Sequence, residues 1–406
     1  MMLDIDTGNT AWVLGASCLV LLMTPGLAMF YGGLLRKKNV LSMMGLCLAA
    51  MIAVSIEWFL VGFSLAFGNS MGGLIGDMMY AGLNNIQTMT PLANAPTIPA
   101  AVYVVFQCMF AMITAAILAS PFAERTRFGS FLLFIGIWTL IVYDPIAHWV
   151  WNVGGFLFKM GALDFAGGTV VHVNVGFSAL AVALVMGQRK GFKKTPMEPH
   201  NIPLVVLGLG LLWFGWFGFN GGSAVTAGSI AGLAIINTNL AACSAAIAWI
   251  VLEYLDKNKK KPSTIGIATG VLAGLVAITP AAGFVEPWAA FFIGIISTCT
   301  VYVVLRWRTQ SNLDESLDAF SCHGVGGVVG AILTGVFASV GANGLIAGNP
   351  GQVAVQALAV ACSAGYAFGV TLVLALIFKK ALRIRVPESE EYLGCDLSQH
   401  HEIAYA

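Results

Sequence analysis

Apolar positions along the chain gather into long blocks, such as 41–67, 100–120 and 353–378, separated by short polar segments. About 20 residues of helix cross a hydrocarbon layer, so each block predicts a transmembrane helix. The alternation of a membrane β-barrel is not visible. The blocks resolve into spans at 10–34, 41–67, 99–120, 128–150, 165–187, 202–221, 227–254, 263–282, 288–306, 318–339 and 352–380. The expected fold is therefore an all-α integral membrane protein with eleven transmembrane helices.

Basic residues sharpen this picture. Nineteen of the 20 lysines and arginines fall in six clusters, 36–38, 125–127, 189–194, 257–261, 306–308 and 379–385, and only Lys159 lies elsewhere. One span precedes the first cluster and two fit between each successive pair. The positive-inside rule puts all six clusters in the cytoplasm and residues 1–9 outside. Residues 188–201 then form a cytoplasmic loop, 383–406 a cytoplasmic tail, and 68–99 a long external loop with room for a short interfacial helix. An odd count divides into two inverted five-helix repeats, 10–187 and 202–340, plus an eleventh helix at 352–382. Weak internal likeness agrees, since the fifth helix of each half carries one histidine, His172 or His323. Phe30-Tyr31-Gly32-Gly33 likewise echoes Phe219-Asn220-Gly221-Gly222.

Composition excludes a water-soluble fold. Apolar residues make up 58% and charged ones 10%, against roughly 45–50% and about 25% in soluble domains, and the mean hydropathy is +0.85. A net charge of +1 with no basic, aromatic-interleaved stripe gives no reason to expect nucleic acid as a partner. The eight cysteines have no CxxC spacing and read as small buried apolar residues. The acidic start, 1–10, lacks the basic region of a cleavable signal.

Ionisable residues inside hydrocarbon are costly and mark candidate sites. Glu57, Asp144, His148, Asp164, His172, Glu253 and His323 qualify. His172 and His323 are flanked by Gly and Val, so neutral rings are expected, because desolvation disfavours the cation. Each reads either as a hydrogen-bonded packing residue or as part of a lined pore, and their matching places in inverted halves favour the pore. Metal binding is disfavoured, with no HExxH and no carboxylate at ligand spacing beside either ring. Phe106 and Phe110 share a helix face, Trp149 and Trp151 follow the fourth span, and Trp216, Phe217 and Phe219 precede Ser223. They read as an interfacial aromatic belt or as a vestibule attracting a small cation by about 0.5–2 kcal/mol per aromatic face. Asp164 reads as a helix N-cap or as a carboxylate favouring a cation nearby, and Asp318 has the same two readings.

Four motifs carry a resemblance. They are Leu22-Met23-Thr24-Pro25-Gly26-Leu27-Ala28-Met29-Phe30-Tyr31-Gly32-Gly33, Gly161-Ala162-Leu163-Asp164-Phe165-Ala166-Gly167-Gly168-Thr169-Val170-Val171-His172, Gly215-Trp216-Phe217-Gly218-Phe219-Asn220-Gly221-Gly222-Ser223 and Asp318-Ala319-Phe320-Ser321-Cys322-His323-Gly324. In this order they resemble the Amt branch of the Amt/Mep/Rh ammonium transporter and channel family, from the first span to the tail. The resemblance implies a homotrimer in the cell membrane with one pore per subunit, carrying ammonium or ammonia and accepting methylammonium as an analogue. It implies external recruitment by Phe110, Trp151, Phe219 and Ser223, a gate of Phe110 and Phe219, an essential carboxylate at Asp164, and pore histidines His172 and His323 sharing a hydrogen bond. It calls for neither catalysis nor a cofactor. The tail 385–405 resembles the family tail and implies docking on a neighbouring subunit and a PII-type signalling protein at the cytoplasmic face, whereas its plain reading is a solvated acidic terminus. Ser321 and Cys395 depart from the usual glycine and leucine. An ammonium sensor on the same scaffold is the main alternative. A carrier of larger substrates would need charged midplane groups, and Rh-type handling of carbon dioxide fits the Trp151 and Ser223 matches less well.

Overall fold

The computed structural model describes residues 5–84, 86 and 91–405. The first four residues of the chain, positions 85 and 87–90 of the expected external loop, and the last residue of the tail lie outside the described residues. Ten helices among those described are long and apolar enough to cross a membrane. They are α1 (Thr7–Leu34), α2 (Lys37–Phe67), α3 (Ala100–Phe122), α4 (Phe128–Lys159), α5 (Gly168–Met186), α6 (Ile202–Gly222), α7 (Ser229–Leu255), α9 (Pro287–Gln310), α10 (Phe320–Phe337) and α11 (Gly351–Ala381). A shorter apolar helix, α8 (Thr264–Ile278), stands where the eighth span is expected.

Helix starts follow local chemistry. The Asp6 carboxylate accepts from the Asn9 amide at 2.7 Å to cap α1, the Asn201 side chain caps α6 at 2.9 Å, and the Ser263 hydroxyl caps α8 at 3.0 Å. The α1 and α6 helices, which open the two expected repeats, pack along most of their length. The α7, α8 and α9 helices pack together on one side, and α11 packs against α5. Small residues permit these close approaches where no water is present to drive association.

The 68–99 loop differs from expectation. It contains a two-stranded hairpin, Ser70–Met71 with Ile75–Gly76, and a short 3-10 turn, Ala81–Leu83, with no interfacial α-helix among the described residues. The Trp149 indole donates to the Leu74 carbonyl at 2.7 Å, pinning the hairpin to α4. The cysteine expectation also needs correction, since Cys243 and Cys362 are only partly buried. Cys47, Cys108, Cys322 and Cys395 are buried, but Cys18 and Cys299 are exposed. They sit on outward faces of α1 and α9, where a small apolar side chain suits lipid as well as it suits a core.

At the membrane face that carries the basic clusters, four connecting segments are tied by ions. Glu124 accepts from Arg36 and from Arg189 at 2.8 Å each, and Arg189 also meets Asp314 at 2.8 Å. Arg125 is completely buried and reaches Asp314 at 3.3 Å. The tail joins this platform on its own chain. The Arg127 amide donates to the Ile384 carbonyl at 2.9 Å and the Val386 amide to the Arg125 carbonyl at 3.1 Å. Two short helices follow, α12 (Glu388–Leu393) and α13 (Cys395–His400). Asp396 accepts from the Ser42 amide at 2.7 Å, and Arg385 pairs with Glu391 at 2.8 Å. The tail is thus docked rather than freely solvated.

Burial opposes ionisation of Glu124, but Arg189 and Arg36 outweigh it and hold its carboxyl below the usual carboxylate range. Asp314 behaves likewise, with Arg189 and Arg125 overcoming burial. Both folded values are depressed, so the stability these acids contribute is present above the ordinary carboxylate range and is lost as pH falls through the depressed values. Apparent melting temperature in detergent is expected to hold from neutral pH down to about pH 5 and to fall below about pH 4. Arg189→Gln should flatten that fall. An equally steep acid transition in the variant would mean that the network is not its origin.

Candidate functional site

Among the described residues four helices carry a π-helical turn, at Trp58–Gly62 in α2, Thr139–Tyr143 in α4, Gly168–Val173 in α5 and Phe320–Val325 in α10. Such turns insert an extra residue and concentrate at functional positions. The last two contain His172 and His323.

Those histidines are brought together by a contact between α5 and α10 that tolerates no side chain. A Cβ on Gly176, one turn after His172, would lie 2.2 Å from the Gly324 backbone. With the backbones this close, the two Nδ1 atoms stand 3.2 Å apart and the rings 5.2 Å apart. Both rings are buried, at 1% and 2% exposure. In a neutral pair, one Nδ1–H donates to the other Nδ1, which leaves one Nε2 as an acceptor and the other as a donor. Neither Nε2 has a partner in the protein. They line a narrow apolar space of about 10 Å³ with Leu27, Ile113, Trp216 and Phe219, close to the size of a single water. Trp216 stacks on His172 at 5.5 Å, and its indole is fixed by the Thr279 hydroxyl at 2.9 Å.

Above this space Phe110 and Phe219 stack at 4.1 Å with an interplanar angle of 17°, and both are buried. Beyond them a cavity of about 320 Å³ is lined by Tyr103, Phe106, Gln107, Trp151, Asp164 and Ser223. Trp151 contacts Phe110 edge-on at 5.7 Å, and the Ser223 hydroxyl donates to the Phe219 carbonyl at 2.8 Å. Phe110, Trp151, Phe219 and Ser223 therefore adjoin one another at the junction of cavity and apolar space.

Asp164 is held differently. Its Oδ1 accepts from the Gly167 and Gly168 amides at 2.7 Å each, and its Oδ2 from the Thr169 and Val170 amides at 2.8 and 3.0 Å. Those four bonds use the acceptor sites a carboxylate offers. The carboxylate caps α5, while its main-chain carbonyl accepts from the Trp151 indole at 3.0 Å. Asp318 caps no helix with its side chain but pairs with Arg308, and its carbonyl accepts from the Cys322 amide at 2.8 Å.

Several cavity residues were not picked out by sequence reasoning. The Tyr103 hydroxyl accepts from Asn94 at 2.6 Å and from Gln107 at 3.1 Å. Gln356 of α11 clasps both the amide and the carbonyl of Leu163 at 2.7 Å, and Gln352 donates to the Gly161 carbonyl at 2.8 Å. Two glutamines one turn apart in an otherwise apolar helix were the available signal. His148 takes a structural place, with Nδ1 to the Ala66 carbonyl at 3.0 Å and Nε2 to the Ser70 hydroxyl at 2.8 Å. Glu253 is bound by Lys259 and Ser263 at a helix end.

Comparison with known proteins places this geometry. Residues 11–405 match the model of the Ammonium Transporter Family. The chain is 45% identical to the ammonium transporter Amt1 of Archaeoglobus fulgidus over 98% of this chain and 99% of that protein. It is 46% identical to an ammonium transporter of Aquifex aeolicus, covering 99% and 94% of the two chains. The crystal structure of Candida albicans Mep2 superposes with a TM-score of 0.91 at 36% identity, covering 99% of this chain and 91% of that one. A structure described as a sensor Amt protein superposes at 0.89 and 33% identity, covering 97% and 98%. This chain belongs to the ammonium transporter family.

Proposed function

We propose that the protein recruits ammonium at the vestibule, removes its proton and conducts ammonia along the apolar space past His172 and His323. What carries this reading is the sequence of environments: an aromatic and hydroxyl-bearing cavity, a stacked phenylalanine pair, then an apolar space offering two unpartnered ring nitrogens. Trp151, Phe110 and Phe219 attract the cation by their ring faces, and Ser223 supplies a hydroxyl oxygen. A full cation crossing the apolar space would forfeit its hydration, whereas neutral ammonia sheds far less. The Nε2 donor and Nε2 acceptor then match a molecule that both accepts and donates. Phe110 and Phe219 act as the gate. Asp164 acts by shaping the site, because its oxygens are already occupied.

The same reading places the N-terminus outside and the tail in the cytoplasm of the cell membrane, with the two inverted repeats of residues 10–187 and 202–340 meeting at the histidine pair. It includes assembly as a homotrimer in the lipid bilayer and a PII-type regulator approaching the cytoplasmic platform on which the tail is docked. Proteoliposomes are the test. An ammonium gradient is expected to drive uptake, followed with labelled methylammonium, and a simultaneous current trace reports whether the proton travels too. Saturable ammonium binding without any flux, in protein that stays folded and oriented, would replace transport by a sensor role.

A further inference from the structure

One buried pair of acids plays no part in the pore. Glu57 stands immediately before the π turn Trp58–Gly62 of α2, and Asp144 immediately after the π turn Thr139–Tyr143 of α4. Asp144 is 0% exposed. All four carboxyl oxygens of the pair are sealed, and none receives a hydrogen from a protein donor. The end of α2 nevertheless packs on the π turn of α4, which sets the two carboxyls against each other.

Their surroundings supply no counter-charge. The neighbouring titratable groups are the Cys108 thiol of α3, beside Glu57, and the Tyr143 phenol, beside Asp144. Every Lys or Arg ion pair among the described residues involves other acids. The Tyr143 hydroxyl is itself buried without a partner and is an electrostatic neighbour of the vestibule residues Tyr103 and Asp164.

An ionised carboxylate only accepts hydrogen bonds. Two of them facing each other in a low-dielectric interior repel, with no donor between them to offset the repulsion. One added proton turns the same contact into a charge-assisted O–H···O bond, among the strongest that side chains form. We propose that Glu57 and Asp144 form a proton-binding site within the membrane, two carboxyls holding one shared, exchangeable proton between α2 and α4. The ligand is a proton from the aqueous phase, and its binding converts two carboxylates into one carboxylic acid and one carboxylate. Gly62 makes room for this arrangement, since a Cβ there would come within 2.5 Å of a Glu57 oxygen. The proposal stands apart from conduction, because neither acid lines the histidine space.

Infrared spectroscopy of the protein in lipid vesicles at neutral pH tests it. Subtracting the spectrum of the Glu57→Gln/Asp144→Asn double variant from that of the wild type should leave the C=O absorption of one carboxylic acid, moving to lower frequency in D2O. Amide side chains of matched shape can bond to each other, so this variant is expected to fold. No acid absorption in the difference, or twice the area of one acid, overturns the shared proton. If the double variant does not fold, Gly62→Ala serves instead by pushing the Glu57 carboxyl aside. A shifted acid band then supports the site, and an unmoved band overturns it.

Discussion

Replacing His172 and His323 together with alanine is expected to reduce ammonium-driven flux in proteoliposomes about 100-fold, on the estimate of two hydrogen bonds at about 1.5 kcal/mol each. The two Nε2 atoms are the unpartnered polar groups of an otherwise apolar space. Removing them leaves a molecule that has shed its water with nothing to bond along the way. Enlarging the space does not compensate, because an apolar cavity gains no solvating groups by becoming wider. His172→Gln separates this cause from a packing defect. Glutamine restores an acceptor and a donor, so the single variant should keep markedly more flux than the double alanine variant at equal amounts of folded protein. Undiminished flux through the double variant would remove the histidines from the conduction path.

The helices were legible in the sequence because lipid imposes a crude rule, namely that a span must be long and apolar whatever its detailed order. The predicted span 202–221 and the observed Ile202–Gly222 differ by a residue, and 352–380 and Gly351–Ala381 by one residue at each end. Where that rule weakens, so did the reading. The expected span 128–150 continues beyond the apolar block to Lys159, since Phe156–Lys159 adds a short turn beside the hairpin at residues 70–76. The hairpin at residues 70–76 is set by turns and by one indole bond, neither of which has an apolar signature. His172 and His323 stood out individually as polar residues in apolar helices. Their meeting depends on Gly176 and on two π turns, which no periodicity reveals. Glu57 and Asp144 stand apart in the sequence for the same reason, and only the packing of α2 beside α4 makes them a pair.

The second large effect concerns Asp164, which the sequence left open between a cap and a cation partner. Four backbone amides converge on its carboxylate, and the residue is 8% exposed. Asp164→Ala strands those buried donors at about 1–3 kcal/mol each, and apparent melting temperature should fall by about 10 °C. The same change frees the start of α5, which carries His172, and loosens the carbonyl that anchors the Trp151 indole. Asp164→Asn is the informative comparison. Its amide oxygen keeps two of the bonds, but its NH2 group confronts the other two N–H donors, so stability should fall between those of wild type and the alanine variant. A carboxylate that served chiefly to attract the cation would behave otherwise. Asparagine would then weaken ammonium binding while leaving the melting temperature where it was. Thermal unfolding of the three proteins, read beside their ammonium affinity, distinguishes the two roles, and unchanged melting in both variants would exclude the cap as the reason this position matters.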